Sequence, residues 1–186
     1  MIRRHKNRSA ACLLFVLVLV GSMMVQTIQI QRRQDTRNKA LLKAIATNDA
    51  QAVQLLLAQG AYPNARGPGK PVHDPLDLWT QILDVNHERT GLTAPALMFA
   101  SGNGKVAIVE MLLDSGAETN AHDFEGNTPL IVAALNNKTT ARPTILLLVK
   151  YGANIYAKTK SGYSAWTLAI ERPVVLRALQ EAAGRR

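Results

Sequence analysis

The residues best equipped for chemistry crowd into one stretch of the chain. His73, Asp74, Asp77, Asp84, His87 and Glu88 set two histidines and four carboxylates close together. Imidazole and carboxylate are the usual ligands of zinc and of harder divalent cations, so a metal-dependent hydrolase is the chemistry to test first. The spacing does not support it. No His-x-x-x-His pair or other recognised ligand set is present, and polar residues solvated around a loop and a helix explain the cluster better. His122 has no nucleophile to partner. Gly102-Asn103-Gly104-Lys105 lacks both the preceding glycine and the following hydroxyl residue of a phosphate loop. Asn137-Lys138-Thr139 is a glycosylation sequon only in a host that makes such sugars. No catalytic residue, cofactor or metal is therefore expected. An enzyme using the His/Asp/Glu residues of this stretch stands as a minor alternative.

The elements around that stretch repeat. Leu55-Leu56-Leu57-Ala58-Gln59-Gly60-Ala61-Tyr62-Pro63-Asn64 is echoed by Met111-Leu112-Leu113-Asp114-Ser115-Gly116-Ala117-Glu118-Thr119-Asn120 and by Leu147-Leu148-Val149-Lys150-Tyr151-Gly152-Ala153-Asn154. A degenerate copy follows between Tyr163 and Gly184. Asp123-Phe124-Glu125-Gly126-Asn127-Thr128-Pro129-Leu130 supplies the other half of the unit. Thirty-six residues separate Gly116 from Gly152 and Gly126 from Gly162, while 56 separate Gly60 from Gly116. The pattern resembles the ankyrin repeat, whose period is about 33 residues, with three extra residues at Lys138-Thr139-Thr140 and a longer insertion between the first two copies.

The resemblance implies an all-α solenoid of about four helix pairs over 39–184. The repeats would occupy about 39–66, 91–123, 124–159 and 160–184, with an insertion at 67–90. Physical reasons for the pattern stand beside the resemblance. Proline at the first helical position, as in Thr128-Pro129, sacrifices an N–H that has no intrahelical partner. Ile145, Leu148 and Val149 make an apolar stripe at helical spacing. Gly152 ends the helix in the left-handed conformation. One such unit cannot bury its own apolar face, so neighbours must stack. Pro95-Ala96-Leu97-Met98 replaces the family's Thr-Pro-Leu-His, and Ile131 stands at the usual histidine, so those joints are expected to rely on apolar packing.

The second strong feature is N-terminal. A basic tail, 1–8, precedes an uncharged segment, 9–31, that is apolar throughout from Ala10 to Val20. Twenty-three residues at about 1.5 Å each reach roughly 34 Å, enough to cross a hydrocarbon core of about 30 Å. A single transmembrane signal-anchor helix is expected there, followed by a linker at 32–38. Val20-Gly21-Ser22 is a passable cleavage site, but Met23-Met24-Val25 and Thr27-Ile28 prolong the apolar run, which favours an uncleaved anchor over a cleaved signal peptide. Both flanks are basic. The short Met1-Ile2-Arg3-Arg4 tail is expected to stay in the cytoplasm, which puts the repeats in a bacterial periplasm as a single-pass inner-membrane protein.

Charge is divided unevenly. Residues 1–43 carry nine Lys/Arg and one acid, and residues 44–186 carry thirteen and twelve. Eight of the nine net positive charges thus belong to the membrane-flanking region, and the nearly neutral repeats lack the basic stripe of a nucleic-acid binder.

Within the insertion, Asp74 and Pro75 make a helix start, and Leu76, Trp79, Ile82 and Leu83 share one side of a short amphipathic helix at about 75–86. Trp79 either packs that helix onto the first repeats or touches a partner. The resemblance implies protein binding through turn tips and the ends of the first helices. That assigns Asn103 in the second copy, Phe124, Glu125, Asn127, Leu135 and Asn136 in the third, and Lys160, Ser161 and Tyr163 in the fourth. Phe124 and Tyr163 are the expected aromatic anchors. The implied function is a non-enzymatic, membrane-anchored module binding an envelope protein, as scaffold or immunity-type protein. A cytoplasm-facing adaptor or delivered effector is the alternative.

Overall fold

The computed structural model describes residues 2–68, 93–136 and 139–184, with side chains of the first helix described from Val18 onward. Helix α1 spans Ile2–Thr47 and α2 Ala50–Ala58. Strands β1, Arg66–Pro68, and β2, Thr93–Pro95, pair antiparallel. Helices α3 (Ala96–Gly102) and α4 (Val106–Asp114) follow, then α5 (Pro129–Leu135) and α6 (Ala141–Lys150), then α7 (Ala165–Ala169) and α8 (Pro173–Gly184). The described residues are mostly helical and form four helix pairs, the end of α1 supplying the first member of the first pair.

The repeats close as their sequence dictates. Thr128 caps α5 by accepting the Ile131 N–H at 3.4 Å, with Pro129 in the first turn. Gly60, Gly116 and Gly152 take φ of 85°, 85° and 86°, the left-handed turn that lets the chain leave α2, α4 and α6. Each first helix packs on its successor, α1 on α3, α3 on α5 and α5 on α7. Leu41, Ile45, Leu97 and Leu130 on the first helices, and Leu112, Ile145, Leu148 and Leu179 on the second, are fully buried in the core that these layers share. Each such side chain contributes about 1.5–3 kcal/mol relative to exposure. Met98 and Ile131, at the family's histidine position, are buried apolar residues, in keeping with the apolar joints expected.

Polar rungs tie the layers at both ends. The Asn64 carboxamide oxygen accepts the Glu118 N–H at 2.7 Å, and that of Asn120 accepts the Asn154 N–H at 2.7 Å. Asn38 of α1 plays the same part for Tyr62 N–H at 3.0 Å, while Gln34 Nε2 donates to Gly60 O at 2.8 Å. At the other end, Lys105 Nζ donates to Ile45 O at 2.6 Å and Ala46 O at 3.0 Å, and Arg172 Nη1 to Ala134 O at 3.1 Å. These cations meet the partially negative C-terminal ends of α1 and α5.

Three expectations need adjustment. The domain is not purely helical, because Arg66–Pro68 pairs antiparallel with Thr93–Pro95. The 32–38 segment is helical and continuous with its neighbours, and Gln34 and Asn38 within it act as the missing preceding repeat. The 9–31 segment lies wholly inside α1. Its described side chains begin at Val18 and include Ser22, Gln26, Gln29 and Gln31. Among the described residues no helix is long and apolar enough to cross a membrane. The expected insertion helix at 75–86, with Trp79 and the cluster from His73 to Glu88, lies outside the described residues.

Candidate protein-binding surface

The turn tip of the third repeat is built around Asp123. Its carboxylate accepts the Asn127 N–H at 2.8 Å and Asn127 Nδ2 at 2.9 Å, and its carbonyl accepts the Gly126 N–H at 3.1 Å. Gly126 sits at φ 80°. The fourth repeat makes the same turn with Thr159 in place of Asp123. Tyr163 N–H donates to Thr159 Oγ1 at 3.1 Å, and Gly162 N–H to Thr159 O at 2.9 Å, with Gly162 at φ 82°. The two tips are stitched by Lys160 N–H donating to Glu125 O at 2.9 Å. A side chain on Gly126 would stand 3.3 Å from Lys160 N, so glycine permits that approach.

The stitched tips bring several expected residues together. Phe124 and Tyr163 are 59% and 57% exposed, far more than packing alone would leave aromatic rings. Lys160 Nζ stands 3.6 Å from the centre of the Phe124 ring. Such a cation–aromatic contact contributes about 0.5–1 kcal/mol at an exposed site and holds the ring in place. Glu125 and Ser161 are exposed beside them. A groove of about 680 Å³ runs between the tips, lined by Asn120, His122, Phe124, Asn154, Lys158 and Lys160.

Other expected residues take different parts. Asn127 spends its carboxamide inside its own turn. Asn136 is buried at the C-terminus of α5, against the α3–α4 loop, where it joins repeats instead of meeting solvent. Asn103 is exposed at that same opposite end and donates to Phe99 O at 2.9 Å. Leu135 is 45% exposed there. Lys158, Asn154 and the exposed Tyr62 and Tyr156 were not singled out from the sequence. Counting forward from the turn glycines Gly60 and Gly152 would have found them, since these offsets lie in the solvent-facing turn.

Of the residues considered for chemistry, the cluster from His73 to Glu88 lies outside the described residues, and His122 takes a structural part. His122 Nδ1 lies 3.0 Å from the Asp123 carbonyl, and the His122 carbonyl accepts Arg66 Nη1 at 3.1 Å, so the residue joins hairpins. Among the described residues no group of three or more His, Cys, Asp or Glu is placed to hold a metal.

Comparison with known proteins agrees with the architecture. A family profile described as ankyrin repeats (three copies) matches residues 73–182. An ankyrin repeat protein of Rickettsia bellii is 32% identical over 130 residues, covering 68% of this chain and 52% of the relative. An ankyrin repeat domain-containing protein of Myxoma virus is 29% identical over 107 residues, covering 55% of this chain and 22% of its own length. The chain thus spans about half the length of the first relative and under a quarter of the second. With the family profile matching more than half its residues and four stacked helix pairs in place, the chain belongs to the ankyrin repeat family.

Proposed function

We propose that this chain is a membrane-anchored ankyrin module that binds one protein partner in the bacterial envelope through the stitched tips of its third and fourth repeats. The observation that carries the reading is the pair of exposed aromatic rings on those tips, one of them fixed beneath the Lys160 ammonium. Rigid, exposed aromatic rings lose little entropy on binding and dominate interface hot spots. The family as a whole supports an interaction module over catalysis.

Anchoring is supported by the upstream part of α1. Val18, Leu19, Val20, Met23, Met24, Val25, Ile28 and Ile30 are all exposed, and at 100° per residue they cover most of the helix surface, leaving one narrow uncharged stripe to Ser22, Gln26 and Gln29. An exposed helix that is uncharged here and apolar over most of its surface suits lipid, since a protein groove covers one face. A periplasmic array acting as scaffold or immunity-type protein is the preferred setting. The exposed Arg32 and Arg33 after the apolar stretch favour the second reading, a cytoplasm-facing adaptor. Phosphatase and cytoplasmic reporters fused in turn after Arg186 separate the two.

The binding claim is tested by Phe124→Ala and Tyr163→Ala. Truncating a hot spot costs about 2 kcal/mol or more, roughly thirtyfold in affinity. Both variants should lose partner capture, with unchanged stability for Tyr163→Ala and a loss of at most about 1 kcal/mol, the worth of the Lys160 contact, for Phe124→Ala. Parental affinity in both would overturn the proposal.

A further inference from the structure

Which side of the array faces the membrane is written in how α1 joins it. Gln34 and Asn38 bind Gly60 and Tyr62, so α1 enters the array at the layer of turns that follow the second helices. Its other end, at Ile45 and Ala46, meets Lys105 in the loop between α3 and α4, on the far side of the molecule. The helix runs unbroken from one to the other. Upstream of Gln34 it projects away from the loop side and beyond the turn layer.

The geometry points to an array that stands on the membrane with its turn layer facing the lipid headgroups and its helix–helix loops facing away. This rests on the anchored reading above, and it holds whichever compartment contains the repeats. Gln31 to Asn38 is seven residues, about 10 Å of helix. The headgroup region adds several Å beyond the hydrocarbon core, so Tyr62 sits at its outer edge. The Asn38–Tyr62, Asn64–Glu118 and Asn120–Asn154 rungs extend the same layer through the next repeats. Tyr62 belongs to the first of these rungs, Tyr156 and Lys158 follow Asn154 of the third, and Arg32 and Arg33 precede Gln34 on α1, all of them exposed. Aromatic rings with one polar end and basic side chains are the residue types that an anionic membrane surface favours. A partner reaching Phe124 and Tyr163 must then approach along the membrane plane.

The test uses the full chain, with Cys12→Ser, reconstituted in phosphatidylglycerol-containing vesicles. Single cysteines replace Glu118 on the turn layer and Ala107 beside the α3–α4 loop, both exposed, and each carries a fluorophore. A quencher attached to lipid headgroups should extinguish the label at 118 strongly and the label at 107 weakly. Equal quenching, or stronger quenching at 107, overturns the orientation while leaving the anchor intact. A chain that alkaline carbonate strips from the vesicles removes the anchor, and the orientation with it.

Discussion

Lys160 lies over the Phe124 ring, and the two residues hold the same position in successive repeats, 36 residues apart. One copy of the turn thus presents an aromatic ring and the next presents the cation that steadies it. Lys160→Met should cost at most about 1 kcal/mol of stability, the worth of an exposed contact of this kind. Partner affinity should fall further than stability does. Thermal unfolding beside a binding measurement separates the two effects.

Asn120 joins the second and third turn layers by accepting the Asn154 N–H and donating Nδ2 to Gly152 O at 3.1 Å. Asn120→Ala should lower stability by about 1 kcal/mol, because water can reach the released groups. Asn38→Ala should do the same at the junction with α1. Denaturant midpoints report both.

Two glycines separate strain from crowding. Gly116 has φ 85° and open space where a side chain would go. Gly104 has φ 67°, and an added Cβ there would stand 2.0 Å from Thr140 Oγ1 and 2.6 Å from Asn136 Nδ2. Gly116→Ala should cost about 1–2 kcal/mol for the left-handed backbone alone. Gly104→Ala should cost roughly 1–3 kcal/mol more through overpacking. Equal losses in melting experiments would contradict the close approach of these two loops.

The Tyr151 hydroxyl donates to Asp114 Oδ1. That hydrogen bond first, then partial burial, then the charges of Asp114 and Glu110 raise the phenol above its ordinary range. A raised value means that the neutral phenol stabilises the fold below the unfolded value of about 10, and that this is lost as pH rises through the folded value. Tyr151→Phe should be less stable than the parent at neutral pH. The two proteins should converge in strongly alkaline solution, as denaturant unfolding at both pH values would show.

Much of the fold could be read directly from the chain because its period is local. Gly116 and Gly152 are spaced by the repeat, and Gly60 precedes them by the repeat plus the insertion; each takes the left-handed turn that ends its helix. The tips around Phe124 and Tyr163 followed from the same register. Asn136 escaped that reasoning. A polar residue at the end of a short helix reads as exposed, yet Asn136 is buried, with the Gly104 loop of the preceding repeat close against it. The role of α1 was hidden for a related reason. Nothing in residues 32–38 resembles a repeat, yet Gln34 and Asn38 supply the hydrogen bonds that a preceding turn would make. The short β1–β2 pair arises from two segments more than twenty residues apart, and local periodicity carries no sign of such pairing.

A photo-crosslinking amino acid placed in the intact cell at Tyr163, and separately at the exposed Gln180 of α8, tests partner binding at the tips most directly. Binding there predicts one discrete protein adduct from position 163, abolished by Phe124→Ala, and none from position 180. An adduct from position 180 alone, or one from 163 that survives Phe124→Ala at full yield, would contradict it.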